Sequence, residues 1–144
     1  MLVSKILQSK AEGGIISVTP DSKVGAATQI LSEKRIGTVV VSADGTSLDG
    51  ILSERDIVRA LGKVGPSCLD QAVSDLMTAK IITCDPSERT DDVLTKMTEG
   101  RFRHMPVMEG GRMIGLISIG DVVKARLAEL AMEKDALEGM IMGH

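Results

Sequence analysis

The sequence predicts an α/β protein built from two copies of one β-α-β-β-α unit, and three observations carry that prediction. The phrases "GILSERDIVRA" at 50–60 and "GLISIGDVVKA" at 115–125 nearly repeat, with Gly50 over Gly115, Ser53 over Ser118, Asp56 over Asp121 and Ala60 over Ala125 at an offset of 65. Upstream, "ISVTPDSKVGAATQILSEKRIGTVVV" at 16–41 lies over "ITCDPSERTDDVLTKMTEGRFRHMPV" at 82–107 at an offset of 66, which pairs Ile16 with Ile82, Pro20 with Pro86, Glu33 with Glu99, Arg35 with Arg101 and Val41 with Val107. Within each copy, β-branched runs alternate with apolar residues at helical spacing. Self-similarity at a fixed period is an architectural signal before it is a functional one. The one-residue change of offset falls between Val41 and Gly50, and a loop is where a deletion is tolerated.

Each unit reads in the same order. A short apolar strand comes first, at about 15–18 and 81–84. A Pro-containing turn leads to a helix, on which Val24, Ala27, Ile30 and Leu31 share a face in the first copy and Val93, Leu94 and Met97 in the second. The strand "TVVV" or "HMPV" follows. Asp44-Gly45 and Gly110-Gly111 then supply the positive φ that favours a hairpin. The returning strand ends in Gly50-Ile-Leu or Gly115-Leu-Ile, and a second helix starts near Ser53 or Ser118. One unit alone would expose an apolar face, so the two are expected to pack together. The boundaries are set at 1–63 for the first copy, 64–72 for a Gly/Pro-containing linker, 73–126 for the second copy and 127–144 for a helical extension. On that extension Val123, Leu127, Leu130, Lys134, Leu137 and Ile141 follow 4-3-4-3-4 spacing. The stripe fits either a helix packed on its own domain or a contact with a second subunit.

Composition narrows the function. The chain has 144 residues, enough for one ordinary domain to bury roughly two thirds of its unfolded surface. Phe102 is the only aromatic residue and there are nine Met, so aliphatic side chains and adaptable Met fill the core. A net charge of −3 with no basic stripe, and no aromatic platform, weighs against nucleic acid as the ligand. No run approaches the ~20 apolar residues of a membrane span, and the first residues do not read as a signal peptide. Cys68 and Cys84 show no CxxC and do not read as a disulfide framework. A cytoplasmic protein is expected.

The repeated Ser-x-x-Asp has two readings. In the first it is a helix cap: Ser accepts a backbone N–H and the acid at N3 reaches back to the cap. In the second the same geometry is a ligand site. A helix N-terminus suits phosphate, the hydroxyl adds a donor, and the Asp can take both hydroxyls of a ribose. Gly three residues before the Ser would let a ligand approach the backbone closely. The two readings do not exclude each other.

With these motifs in place, the chain resembles a tandem pair of cystathionine-β-synthase (CBS) domains, the Bateman module, over about residues 3–126. It is similar to small stand-alone bacterial CBS-pair proteins rather than to an enzyme that carries the pair as an appendage. The resemblance implies units stacked sheet to sheet about a pseudo-two-fold axis, with two clefts between them that bind adenosine nucleotides or derivatives. It implies that one site centres on Ser118 and Asp121, with Arg103 and His104 on the phosphate side and Thr19, Val24, Ile36 and Gly37 on the adenine side. A second site would centre on Ser53 and Asp56, with Asp85, Thr90, Phe102 and Arg103 near the adenine. Arg103-His104 stands where the first copy has Gly37-Thr38, so the Asp121 site is expected to bind phosphorylated ligands more tightly; the Asp56 site has only Arg55. The ligand would be AMP, ADP, ATP, NAD or S-adenosylmethionine, with no cofactor required. A homodimer and a regulated protein partner of unknown identity are further implications.

Other candidates weigh less. His104 lacks the companions a metal site needs, so neither a metal ligand nor a general base is assigned. Cys84 aligns with Val18 and reads as a small apolar strand residue. Arg35 and Arg101 read as solvated cations at helix ends, and Met105, Met108 and Met113 as packing. No G-x-S-x-G, Walker A or Cys/His constellation is present, so no catalytic residue is named and the chain is expected not to be an enzyme. A structural or interaction module with vestigial clefts is the alternative reading, and a small nucleotide-using enzyme a third.

Overall fold

The computed structural model describes residues 1–10 and 15–142. The elements, in order, are α1 (Val3–Ser9), β1 (Ser17–Val18), α2 (Val24–Lys34), β2 (Thr38–Val41), β3 (Gly50–Ser53), α3 (Glu54–Val64), a 3-10 helix (Gly65–Asp70), α4 (Val73–Leu76), α5 (Thr90–Gly100), β4 (His104–Glu109), β5 (Arg112–Ser118) and α6 (Ile119–Ile141). The chain is mixed α/β and carries the unit twice. β1 runs parallel to β2, and β2 antiparallel to β3, with Val39 opposite Leu52. In the second copy β4 and β5 form a two-stranded sheet. The strand expected at 81–84 is reduced there to a parallel bridge between Cys84 and Val107. Its place in the repeat is kept, because Cys84 lies buried beside Val107 as Val18 does beside Val41.

The two hairpin turns differ. Gly110 and Gly111 both have positive φ (59° and 78°) and close β4 onto β5 in two residues, the geometry that matches strand twist. In the first copy the expected Asp44-Gly45 turn is a longer loop over 42–49. Asp44 Oδ1 organises it by accepting the Thr46 and Ser47 N–H groups at 2.9 and 2.7 Å.

Contacts divide the chain into two compact units. One unit joins the described residues of 1–12 to those of 83–109 and 115–144; the other holds those of 13–82 with 110–114. The segment preceding each copy therefore packs on the other copy. Val3 and Ile6 of α1 are buried with Val93, Met97, Met105, Val107, Ile117 and Val122. Val73 of α4 is buried with Val24, Leu31, Val39, Leu52 and Ile57. The backbone repeats the arrangement bond for bond. Val3 and Ser4 donate to Glu88 and Pro86; Val73 and Ser74 donate to Ser22 and Pro20.

This packing explains the paired glycines. A Cβ on Gly115 would lie 2.5 Å from Leu7 Cδ2, and one on Gly50 would lie 2.6 Å from Met77 Sδ. The expectation that these glycines admit a ligand to the backbone is therefore corrected: the space above each is taken by the segment preceding the other copy.

Candidate functional site

The site begins with the capping boxes. Ser118 Oγ accepts the Asp121 N–H at 3.1 Å, and Asp121 Oδ2 accepts the Ser118 N–H at 2.9 Å. Ser53 and Asp56 do the same at 3.3 and 3.0 Å. Both therefore meet the capping reading in full, each worth about 1 kcal/mol of helix stability. The side chains are half-buried at the junction of a strand and the helix after it.

The surroundings then diverge. Lys10, just past α1, donates from Nζ to Asp121 Oδ2 at 2.9 Å and to the Leu116 carbonyl at 2.8 Å. The preceding-segment packing delivers it there across 111 residues of sequence. Both described bonds to the carboxylate fall on Oδ2. Arg103 is exposed, and its carbonyl accepts the Ile119 N–H at 2.8 Å, which fixes the Arg103-His104 segment against the start of α6. The first copy makes the equivalent bond from Glu54 to the Gly37 carbonyl at 2.9 Å. Arg103-His104 thus stands in the same spatial place as Gly37-Thr38, as the alignment predicts.

Electrostatics assign the protonation states. Burial disfavours the charge on Asp121, but the Ser118 N–H and the Lys10 ammonium outweigh it and hold the carboxyl below the usual carboxylate range. Burial, with Lys10 and Arg103 nearby, pushes the His104 imidazole below its ordinary value, against the pull of Asp121. His104 is therefore neutral at pH 7. It supplies no second positive charge, and Lys10 takes the place of the second cation. Lys10 is the site residue that sequence reasoning missed. Its signal was readable: "VSKIL" at 3–7 and "VSDLM" at 73–77 are a third repeated phrase, at an offset of 70. At that offset Lys10 corresponds to Lys80, which is exposed, and among the described residues no ion pair joins it to Asp56.

The remaining expected residues are placed as follows. Val24 and Thr90 are equivalent positions, and both are fully buried in the cores of their own units. The Thr90 hydroxyl is committed to Glu129 on α6. Neither side chain is exposed in this structure. Phe102 is partly buried against the same core as Met97 and Met105. Ile36 is likewise packed on the first core, and Gly37 is partly exposed beside it. Thr19 is exposed, with its hydroxyl 2.6 Å from that of Ser22. Asp85 is exposed and accepts the Ser87 N–H and hydroxyl, which lower its pKa. Arg55 is exposed on the first turn of α3.

Burial, with Glu88 adding to it, pushes the Cys84 thiol up to about 12, so it is inert at neutral pH. Among the described residues no three His, Cys, Asp or Glu side chains gather as a metal site would need. No described helix is long and apolar enough to cross a membrane.

Comparison with known proteins matches this geometry to a family. The CBS domain model matches residues 9–63 and 73–128. The chain is 35% identical to the CBS domain-containing protein CBSX3, mitochondrial, of Arabidopsis thaliana, over 98% of this chain and 72% of that protein. The CBS-domain containing protein ATU1752 of Agrobacterium tumefaciens superposes with a TM-score of 0.81 at 43% identity, covering 88% of this chain and 99% of that one. CBSX2, whose crystal structure is in complex with AMP, superposes with a TM-score of 0.74 at 27% identity, covering 88% and 96%. Two copies of one β-α-β-β-α unit, each with a capping box on its second helix and each matched by the same domain model, make this chain a member of the CBS-domain family.

Proposed function

We propose that the chain is a non-catalytic regulatory module of the cytoplasm that binds adenosine nucleotides, and that it works as a homodimer. The observation that carries the reading is the company of Asp121. A carboxylate held ionised by a helix cap, with Lys10, Arg103 and His104 beside it, suits a molecule that bears both a ribose diol and a phosphate. In this reading Asp121 takes the ribose through Oδ1. The Ser118 hydroxyl at the start of α6 meets the phosphate, with Lys10 and Arg103 neutralising its charge. Ser53 and Asp56 form the weaker counterpart, with fewer cations. The AMP complex of the related CBSX2 supports adenosine as the ligand class. Binding would regulate by favouring one arrangement of the module over another, to the extent that the ligand's affinity differs between them.

The test is thermal unfolding with AMP, ADP, ATP, NAD and S-adenosylmethionine in turn, on the wild type and on Asp121→Ala. A ligand at one hundred times its dissociation constant adds about 2.7 kcal/mol if it binds only the native state. The expected outcome is a rise with at least one ligand that is lost in the variant. No rise with any of the five turns the reading to a structural module, in which capping alone retains Ser118 and Asp121. Turnover of a bound nucleotide would turn it to an enzyme.

A further inference from the structure

The second half of α6 leaves the body of the protein. Residues 131–138 are all exposed. Leu127, Leu130, Leu137 and Ile141 are 62%, 45%, 59% and 82% exposed. With Val123 and Lys134 they form one seam along the helix at 4-3-4-3-4 spacing. An isolated helical stretch of about eleven residues is marginal in water, so covering the exposed seam would stabilise it. We infer that the cover is the same segment of a second copy, docked antiparallel, seam on seam and centred near Met132. This rests on the homodimer part of the proposed function and gives that dimer its surface.

Charge selects both the occupant and its direction. Lys124 and Arg126 flank the first half of the seam, while Glu133, Asp135 and Glu138 lie on the second half. One α6 is therefore complementary to another run the opposite way. Antiparallel docking sets Val123 against Ile141, Leu127 against Leu137, and Leu130 against Lys134 of the second copy. It also sets Lys124 beside Glu138 of the second copy, twice per dimer. Glu138 is available for this, because its pairing with Lys134 on its own helix is long, at 3.8 Å, and exposed. The two Glu133 side chains approach at the centre, where a Lys134 from each copy flanks them. Parallel docking in register does the reverse. It stacks Lys134 on Lys134 inside the seam and places Glu133 against Glu138.

The experiment is sedimentation equilibrium of the full chain over a concentration series. Leu137→Lys is expected to leave the melting temperature of the monomer unchanged and to raise the dimer dissociation constant at least about a hundredfold. Lys124→Glu and Glu138→Lys are each expected to raise it about tenfold, and the double variant to return to within about threefold of wild type. Direction is read by oxidation. Leu127→Cys with Leu137→Cys in one chain should give a covalent dimer, and Leu127→Cys alone should not; the native Cys68 and Cys84 are buried and do not compete. A wild-type dimer indifferent to Leu137→Lys, or a covalent dimer from Leu127→Cys alone, overturns the inference and leaves the homodimer reading standing. A wild type that stays monomeric throughout overturns both.

Discussion

Asp121 and Asp56 close the same capping box in two copies of one unit, and they differ in what surrounds the carboxylate. Around Asp121 stand Lys10 on the carboxylate itself, Arg103, and an imidazole kept neutral by burial. Around Asp56 the described partners are its own Ser53 and backbone, with Gly37-Thr38 where the other copy has Arg103-His104. The comparison separates scaffold from ligand chemistry. What the copies share is accounted for by helix capping and close packing, and both follow from duplication. What they do not share is the charge around the carboxylate, and the proposed ligand chemistry is to be sought there.

The largest effect that could break the comparison is on affinity. Asp121→Ala is expected to weaken binding of the stabilising nucleotide by about thirtyfold or more, roughly the 2 kcal/mol of a charged hydrogen-bonding partner. Asp56→Ala should cost less at the tighter site. Both should lower stability by a similar ~1 kcal/mol, because both lose a cap. Titration calorimetry beside melting curves reads the two quantities separately. Equal losses of affinity, or a greater loss with Asp56→Ala, would remove the ranking of the sites.

The shared scaffold is itself not quite symmetric, and the glycines sharpen that. Gly50→Ala places a methyl 2.6 Å from Met77 Sδ and 3.0 Å from the Thr78 carbonyl, whereas Gly115→Ala meets mainly the tip of Leu7. A side-chain tip can turn away and a backbone carbonyl cannot. Gly50→Ala should destabilise by about 1–3 kcal/mol and Gly115→Ala by less, about 1 kcal/mol. Chemical denaturation decides between them, and Leu7→Ala added to Gly115→Ala should recover little, since it opens a void of its own.

A smaller effect belongs to Lys10. Its ion pair is partly exposed and contributes at most about 1 kcal/mol to the fold. Lys10→Met is therefore expected to be tolerated and to weaken AMP about three- to tenfold, the ~1 kcal/mol of an ordinary hydrogen bond at a partly exposed site. Unphosphorylated adenosine should lose less. Equal losses for the two ligands would show that Lys10 does not meet the phosphate.

The smallest effect is in pH. Because the folded pKa of His104 lies below its unfolded value, the unfolded chain binds the extra proton first. That contribution to stability is present above about pH 6.5 and is lost as pH falls through the unfolded and then the folded value. A bound phosphate would favour the imidazolium and reverse the sign locally. Nucleotide binding below pH 6.5 should then take up a fraction of a proton, measured by calorimetry in buffers of different ionisation enthalpy. His104→Gln should abolish the uptake.

Much of this was legible in the sequence because it is local. The repeat offset, the capping boxes and the alignment of Arg103-His104 with Gly37-Thr38 all depend on residues a few positions apart or on like phrases. Other features were illegible because they are non-local. Lys10 meets Asp121 only through the packing of α1 on the second copy. Val24 and Thr90 sit at the start of helices, where exposure is a fair expectation, and residues distant in sequence bury them. The reduction of the strand at 81–84 to a single bridge is likewise a matter of pairing, which a short apolar run does not reveal.

The packing of each preceding segment on the opposite copy also has a consequence in time. The core that contains Val3 and Ile6 is completed by Met105, Val107 and Ile117. At roughly 5–20 residues per second of synthesis, Val3 and Ile6 wait on the order of ten seconds before their partners exist. During that interval they are apolar side chains without their core partners. Severing the chain between its repeats would not yield two smaller proteins. It would yield two cores, each with its closing piece attached to the other.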